Sequence, residues 1–237
     1  MNLNKIACIV LLTITLGQAC AAEPAPGEYI TERGWGELTV TRKTDGKMHF
    51  AIASIGANGH SCTVDGVIKN GRAVLDDLAP GSSCQVTFKA DATGVDIVLG
   101  QPGDCRDYCG MRASFDGHYQ VPAAGCRNGQ RRAAQSKFAK AYGAKDYQAA
   151  LALLQPVLQN CAPTLFWLEE AQIRNDLAVT LYHLGRKDEC RTVLKPTIDA
   201  YGSTEDALSK ELPPSDFDSL LPLAKAAWFN QGLCSGK

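Results

Sequence analysis

Between residues 27 and 120 apolar and polar side chains alternate in short runs. Leu38 and Val40 are set among Glu37, Thr39 and Thr41, and Met48, Phe50 and Ile52 among His49, Ala51 and Ala53. Cys62, Val64 and Gly66 share one parity, as do Cys84, Val86 and Phe88, and Val95, Ile97 and Leu99. A period of two sends successive side chains to opposite faces, so this spacing predicts half-buried antiparallel strands. Asp45-Gly46, Asn58-Gly59 and Asn70-Gly71 fall between the runs, and their glycines admit the positive φ that tight hairpin turns require. Six or seven such strands make a small barrel or sandwich. A sheet of that size buries a limited core, so disulfide staples are expected.

After Val121-Pro122-Ala123-Ala124-Gly125 the period changes. Ala, Leu and Gln become frequent, and apolar residues recur at steps of three and four: Phe138, Ala141 and Tyr142, then Ala150, Leu151, Leu154 and Leu158. That is the stripe of an amphipathic helix. The segment also repeats itself. At an offset of forty, Tyr142 matches Tyr182, Ala150 matches Cys190, Leu154 matches Leu194, Pro156 matches Pro196 and Leu158 matches Ile198. A third, partial copy is read in Leu223–Trp228 set against Leu177–Tyr182. The expected fold class is α+β in two modules: an antiparallel β-barrel or sandwich over residues 23–120, a linker over 121–127, and a helical array over 128–237.

Ala178, Leu181, Gly185, Cys190 and Leu194 in one stretch, and Phe138, Ala141, Tyr147, Ala150 and Leu154 in the other, resemble tetratricopeptide repeats. The resemblance implies pairs of antiparallel helices, with small residues where they cross, stacked into a short array whose concave face binds peptides or proteins. A period of forty, against the thirty-four usual in that family, implies a longer first helix in the second repeat. The N-terminal segment, ending in Cys105-x3-Cys109-Gly110 and Phe115-Asp116-Gly117-His118-Tyr119, resembles small periplasmic barrels, including some that inhibit lysozymes. No inhibitory motif carries over residue by residue.

Ten cysteines stand in the chain. The four in the strand region allow three connectivities, of which Cys62–Cys84 with Cys105–Cys109 is the expected set. In an antiparallel helix pair the start of the first helix lies beside the end of the second. That geometry predicts Cys126–Cys161, and it places Cys190 and Cys234 together at one end of a stacked array. With all eight sulfurs so engaged, none is left as a nucleophile, because the thiolate is the reactive form.

The remaining two, Cys8 and Cys20, belong to the first residues. Lys5, the apolar run Ile6–Leu16 and the small residues before Glu23-Pro24 form a secretory signal pattern, too short to span a bilayer. Cleavage is expected at residue 22 or 21, and localisation in the periplasm or outside the cell. A second reading makes Cys20 a lipidated N-terminus, although Gly17 stands where a lipobox carries leucine. No later run is apolar and long enough for a transmembrane segment. Loss of residues 1–22 moves the formal net charge from −1 to −2. That balance argues against a nucleic-acid partner, which requires a basic excess. Arg127, Arg131 and Arg132 read as a solvated helix face.

No HExxH, GxSxG, P-loop or dinucleotide fingerprint occurs. Asp76-Asp77 and Asp104/Asp107 lack the spaced acids and closing glutamate of a calcium loop, so neither metal nor cofactor is expected. The polar run Arg174-Asn175-Asp176, followed by His183, interrupts an apolar helix. Arg174, Asn175 and His183 are the candidate groove residues. Trp35, held between Gly34 and Gly36, is a candidate anchor of the type that dominates interfaces; Trp167 and Trp228 read as packing. The expected function is a non-enzymatic protein- or peptide-binding module. An inhibitor or immunity factor for a cell-wall-lytic or other envelope enzyme is its sharpest version. The alternative is an envelope hydrolase or redox enzyme.

Overall fold

The computed structural model describes residues 23–75, 83–101 and 105–236. The expected signal peptide with Cys20 lies outside them, as do Asp76, Asp77 and Asp104. Eight strands form one antiparallel sheet: β1 (Gly27–Thr31), β2 (Gly36–Arg42), β3 (Met48–Ile55), β4 (Ser61–Ile68), β5 (Arg72–Leu75), β6 (Cys84–Ala90), β7 (Gly94–Leu99) and β8 (Gly117–Gln120). Their order is β4-β3-β2-β1-β8-β7-β6-β5. Two meanders, β1 to β4 and β5 to β8, are thus joined where β1 runs beside β8, with Ile30 opposite Gln120 and Thr31 opposite Tyr119. These two joining strands are the ones alternation does not reveal. In β1, Tyr29, Ile30 and Thr31 are buried consecutively, and β8 has four residues. Elsewhere the alternating set points inward, and Phe50 meets Phe88 edge-on inside the barrel with ring centroids 4.8 Å apart.

The sheet is nearly closed. β4 and β5 are joined by the Asn70-Gly71 turn, both residues at positive φ (53° and 72°). Lys69 and Arg72 exchange main-chain hydrogen bonds of 2.7 and 3.1 Å, and no further rung joins the two strands among the described residues. Where the strands part, residues 105–110 are fastened to both sides. Cys109 bonds to Cys62 on β4, and Cys105 bonds to Cys84 on β6. The Gly110 N–H also donates to the Ser61 carbonyl at 2.9 Å. The expected pairs Cys62–Cys84 and Cys105–Cys109 are therefore corrected. The reason is spacing: Cys62 and Cys84 stand on strands either side of β5. Strands two apart lie roughly 9–10 Å from one another, beyond the roughly 7 Å between Cα atoms that a disulfide can span. The bridged Cα atoms are 4.2 and 4.6 Å apart.

Six helices follow: α1 (Asn128–Gly143), α2 (Tyr147–Cys161), α3 (Trp167–His183), α4 (Lys187–Tyr201), α5 (Glu205–Glu211) and α6 (Pro214–Ser235). The offset of forty persists in three dimensions. α2 and α4 begin and end forty residues apart, and so do the ends of α1 and α3. The turns between them reuse the same bonds: Asp146 N–H to Ala141 O and Arg186 N–H to Leu181 O, about Lys145 and Gly185 at φ 61° and 74°. The extra length does not lengthen the first helix of the second pair, as expected; α3 exceeds α1 by a single residue. The connection between the two pairs is a 3₁₀ turn over Ala162–Thr164 leading to Leu165 and Phe166. α6 packs on α3 and α4 and carries the segment read as a partial third copy.

Within the helical half, Cys126 bonds to Cys161 and Cys190 to Cys234, so no bridge crosses between the halves. Of the three arginines read as a solvated face, Arg131 departs: it is 5% exposed. Its guanidinium donates to Cys126 O at 2.6 Å, to Asn128 Oδ1 at 2.5 Å and to Glu169 Oε1 at 3.0 Å. It is the pin between α1 and α3, and charge-assisted bonds are what make its burial tolerable.

Loss of either barrel bridge relaxes the unfolded chain and frees the seam. Cys62→Ala/Cys109→Ala is expected to lower the unfolding free energy by about 4 kcal/mol and Cys84→Ala/Cys105→Ala by about 3 kcal/mol on loop-entropy grounds. Urea titration gives both values, and non-reducing peptide mapping of the native chain should return Cys62–Cys109 and Cys84–Cys105.

Candidate functional site

The two halves meet along the barrel rim. Between β1 and β2 the chain makes a 3₁₀ turn over Glu32–Gly34, tied by the Gly36 N–H donating to Thr31 Oγ1 at 2.8 Å. Arg33 and Gly34 are both left-handed (φ 61° and 63°). A side chain at Gly34 would run into the main chain of Thr164–Phe166, so glycine is what lets the rim turn lie backbone-to-backbone on the helical connection. A second rim turn, Ala57–Gly59, meets the start of α6. There the Asn58 N–H donates to Asp216 Oδ2 at 2.9 Å, and the Ser215 N–H donates to Asn58 Oδ1 at 3.0 Å.

Between these contacts lies a cleft of about 450 Å³. One wall is the rim: Arg33, Trp35 and Ile55. The other is Phe166, Trp167, Glu170 and Arg174 at the start of α3, with Thr197 and Tyr201 at the end of α4. Residues 167, 170, 171 and 174 face it together because three- and four-residue steps share one side of a helix. Trp35 is half-buried, set edge-on to Tyr119 with centroids 6.1 Å apart, and its outer ring passes over Gly117. Trp167 lies 5.7 Å from Phe166 and 6.2 Å from Tyr201 between centroids. Burial raises the Tyr201 hydroxyl above its ordinary pKa. Arg33 pulls against that shift and Glu170 adds to it, so the charges of both reach the phenol.

The candidate residues separate. Trp35 and Arg174 line this one cleft. Arg174 is committed within the helices: Nε and Nη2 donate to Glu170 Oε1 at 2.8 and 2.5 Å, and Nη1 donates to Val193 O on α4 at 3.1 Å. Asn175, one step round the helix, turns away from the cleft. It is 4% exposed, donates to Leu223 O at 2.9 Å and accepts from Asn230 Nδ2 at 3.1 Å, joining α3 to α6. His183 stands at the far end of α3, exposed, with its ring stacked on Tyr147 at 4.3 Å. Arg33, Phe166 and Tyr201 also line the cleft without a signal in the sequence, and Trp167, expected as packing, both packs against the α5–α6 cluster and faces the cleft. Trp228, read as packing, donates from its indole to Gly202 O at 2.9 Å.

Asp176 completes the polar run and faces a third way. It accepts from Gln172 at 2.8 Å. Burial lifts its carboxyl from 3.8 to about 6, with the Gln172 bond pulling in the opposite direction. On the barrel, Asp96 lies 2.7 Å from His118, while the neighbouring Ser114 hydroxyl donates to Asp116 rather than to that pair. Asp107 is exposed, and no cluster of three or more His, Cys, Asp or Glu able to hold a metal is found among the described residues.

Asn175→Ala leaves Asn230 without its partner and opens a small void, an expected loss of about 2 kcal/mol in unfolding free energy. For Asp176 the folded chain keeps its proton to about pH 6, whereas the unfolded chain releases it near 3.8. The associated stability is present below pH 4 and disappears as pH rises through 6. Asp176→Asn stays neutral throughout. After allowance for partial exposure, the stability of the variant relative to wild type should rise by about 1–2 kcal/mol from pH 4 to pH 8. A difference that stays flat across urea titrations at the two pH values would contradict this. Compared with protein-family models, curated proteins and solved structures, the chain matches none.

Proposed function

We propose that this chain is a periplasmic or secreted, non-enzymatic protein-binding module. In this reading residues 1–22 are a signal peptide, the helical half is a short tetratricopeptide-like array, and the partner is a protein or peptide received in the cleft between barrel rim and helices. An inhibitor or immunity factor for a cell-wall-lytic or other envelope enzyme is its sharpest form. The observation that carries the reading is the cleft: aromatic rings from both halves face one space, on a frame braced by main-chain contact. Rigid aromatic side chains give large contact area at small entropic cost, which is why they dominate binding hot spots. The eight described cysteines are all in disulfides, which supports an oxidising compartment and leaves no thiolate among them for nucleophilic chemistry.

Affinity chromatography of envelope extract on the immobilised chain is expected to return a stoichiometric partner. Trp35→Ala and Trp167→Ala, each checked for native circular dichroism, should weaken that partner's binding roughly tenfold or more. For the inhibitor form, the purified chain should slow a muramidase in a cell-wall lysis assay. Turnover of envelope polymers by the chain alone, with no partner captured, would overturn the reading in favour of a hydrolase.

A further inference from the structure

The charges along the cleft are not equally free. Glu170 and Arg174 are closed on each other, and Asp216 accepts the Asn58 N–H. Arg33 is exposed, and its side chain makes no hydrogen bond or ion pair among the described residues. It also sits where an arginine is costly. A left-handed backbone carries a penalty of about 1–2 kcal/mol in most residues with a Cβ, Asn and Asp being the tolerant ones, and glycine would occupy the turn without it. No internal contact of the guanidinium offsets that penalty. Lys145 has the same backbone in an ordinary helix turn; what sets Arg33 apart is an unpaired guanidinium at the mouth of an aromatic-lined cleft.

We propose that the cleft recognises an acidic segment of its partner: an Asp or Glu whose carboxylate pairs with Arg33, flanked by an apolar or aromatic residue that packs among Trp35, Phe166 and Trp167. The inference rests on the protein-binding reading and deepens it. A guanidinium offers a planar fork that matches a carboxylate in two parallel bonds. Arg33 and Tyr201 line the same cleft from its two walls, so a carboxylate held at Arg33 lies between the two halves. Of the two arginines that line the cleft, Arg174 is paired and Arg33, among the described residues, is not. On a chain of net charge −1 one such group suits a carboxylate better than a polyphosphate backbone, which draws on many basic groups. The space of about 450 Å³ admits a few side chains of a protruding segment, not a folded surface.

Random-peptide phage display on the full chain tests this, with Arg33→Asn and Arg33→Asp in parallel. Asn and Asp both tolerate the left-handed backbone, so these variants keep the rim turn. Wild type is expected to enrich peptides with Asp or Glu beside Phe, Trp, Tyr or Leu. Tryptophan fluorescence titration of the best synthetic peptide should show affinity falling roughly tenfold to a hundredfold in Arg33→Asn. The same fall is expected when the peptide acid is replaced by its amide, and the two changes together should cost little more than either alone. Enrichment of basic or uncharged peptides, no enrichment, or acidic peptides bound equally by all three chains would overturn the proposal. An envelope partner that binds Arg33→Asp as well as wild type but is lost with Trp167→Ala would also end it, while leaving the protein-binding reading in place.

Discussion

β4 and β5 must meet to close this barrel, yet among the described residues they share one pair of main-chain bonds, at Lys69 and Arg72, and the position of the rim depends on how the gap beyond is held. An eight-stranded sheet left open there would expose two unpaired strand edges and admit water to the inner face where Phe50 and Phe88 meet. Cys62–Cys109 and Cys84–Cys105 prevent this by tying one loop to both sides of the gap. Closure on that side fixes the opposite side, where β1 lies against β8. The turn carrying Arg33 and Gly34 leaves directly from the end of β1, so the seam bridges also set one wall of the cleft.

The second wall is set by contact between main chains. Gly34 lies against residues 164–166 with no space for a side chain, and the Asn58 side chain and main chain trade hydrogen bonds with the first turn of α6. No disulfide joins the halves, so their alignment rests on these two points and on the packing around them. Backbone contacts of this kind leave few rotatable bonds in the frame. Ordering side chains on binding is a principal cost of association, and a frame already ordered reduces it.

The legible parts of the sequence were those governed by a period. Alternation gave the inward sets of β2, β3, β4, β6 and β7, and the offset of forty gave two helical hairpins in register. The unread parts depend on neighbours distant in the chain. β1 shows no alternation because Ile30 is buried on the parity opposite to Tyr29 and Thr31. Cys62 and Cys84 share inward parity, but parity is silent on the strand between them. On α3, the consecutive residues Arg174, Asn175 and Asp176 looked like one polar site. Steps of about 100° on a helix instead send them to α4, to α6 and to the Gln172 side of α3. Arg33 carried one local signal, an Arg-Gly step at the end of a strand, that does not distinguish an ordinary turn from a strained one.

The helical repeat gives a further reason to regard the cleft as the place where this chain is specialised. Along α2 and α4, and at the ends of α1 and α3, positions forty apart share a backbone, so differences between the copies reflect what each does with a similar frame. Trp167, Glu170, Arg174 and Tyr201 correspond to Arg127, Gln130, Ala134 and Cys161. In the first pair the last of these is consumed by the bridge to Cys126, and the first precedes α1 as its cap. In the second pair the same two positions carry an indole and a phenol 6.2 Å apart facing the barrel. Buried residues that hold the hairpins together recur, as Leu154 and Leu194 do. Trp167, Glu170, Arg174 and Tyr201, which line the rim cleft, do not. The buried frame is repeated, and the side chains that meet Arg33 and Trp35 across the cleft belong to the second pair alone.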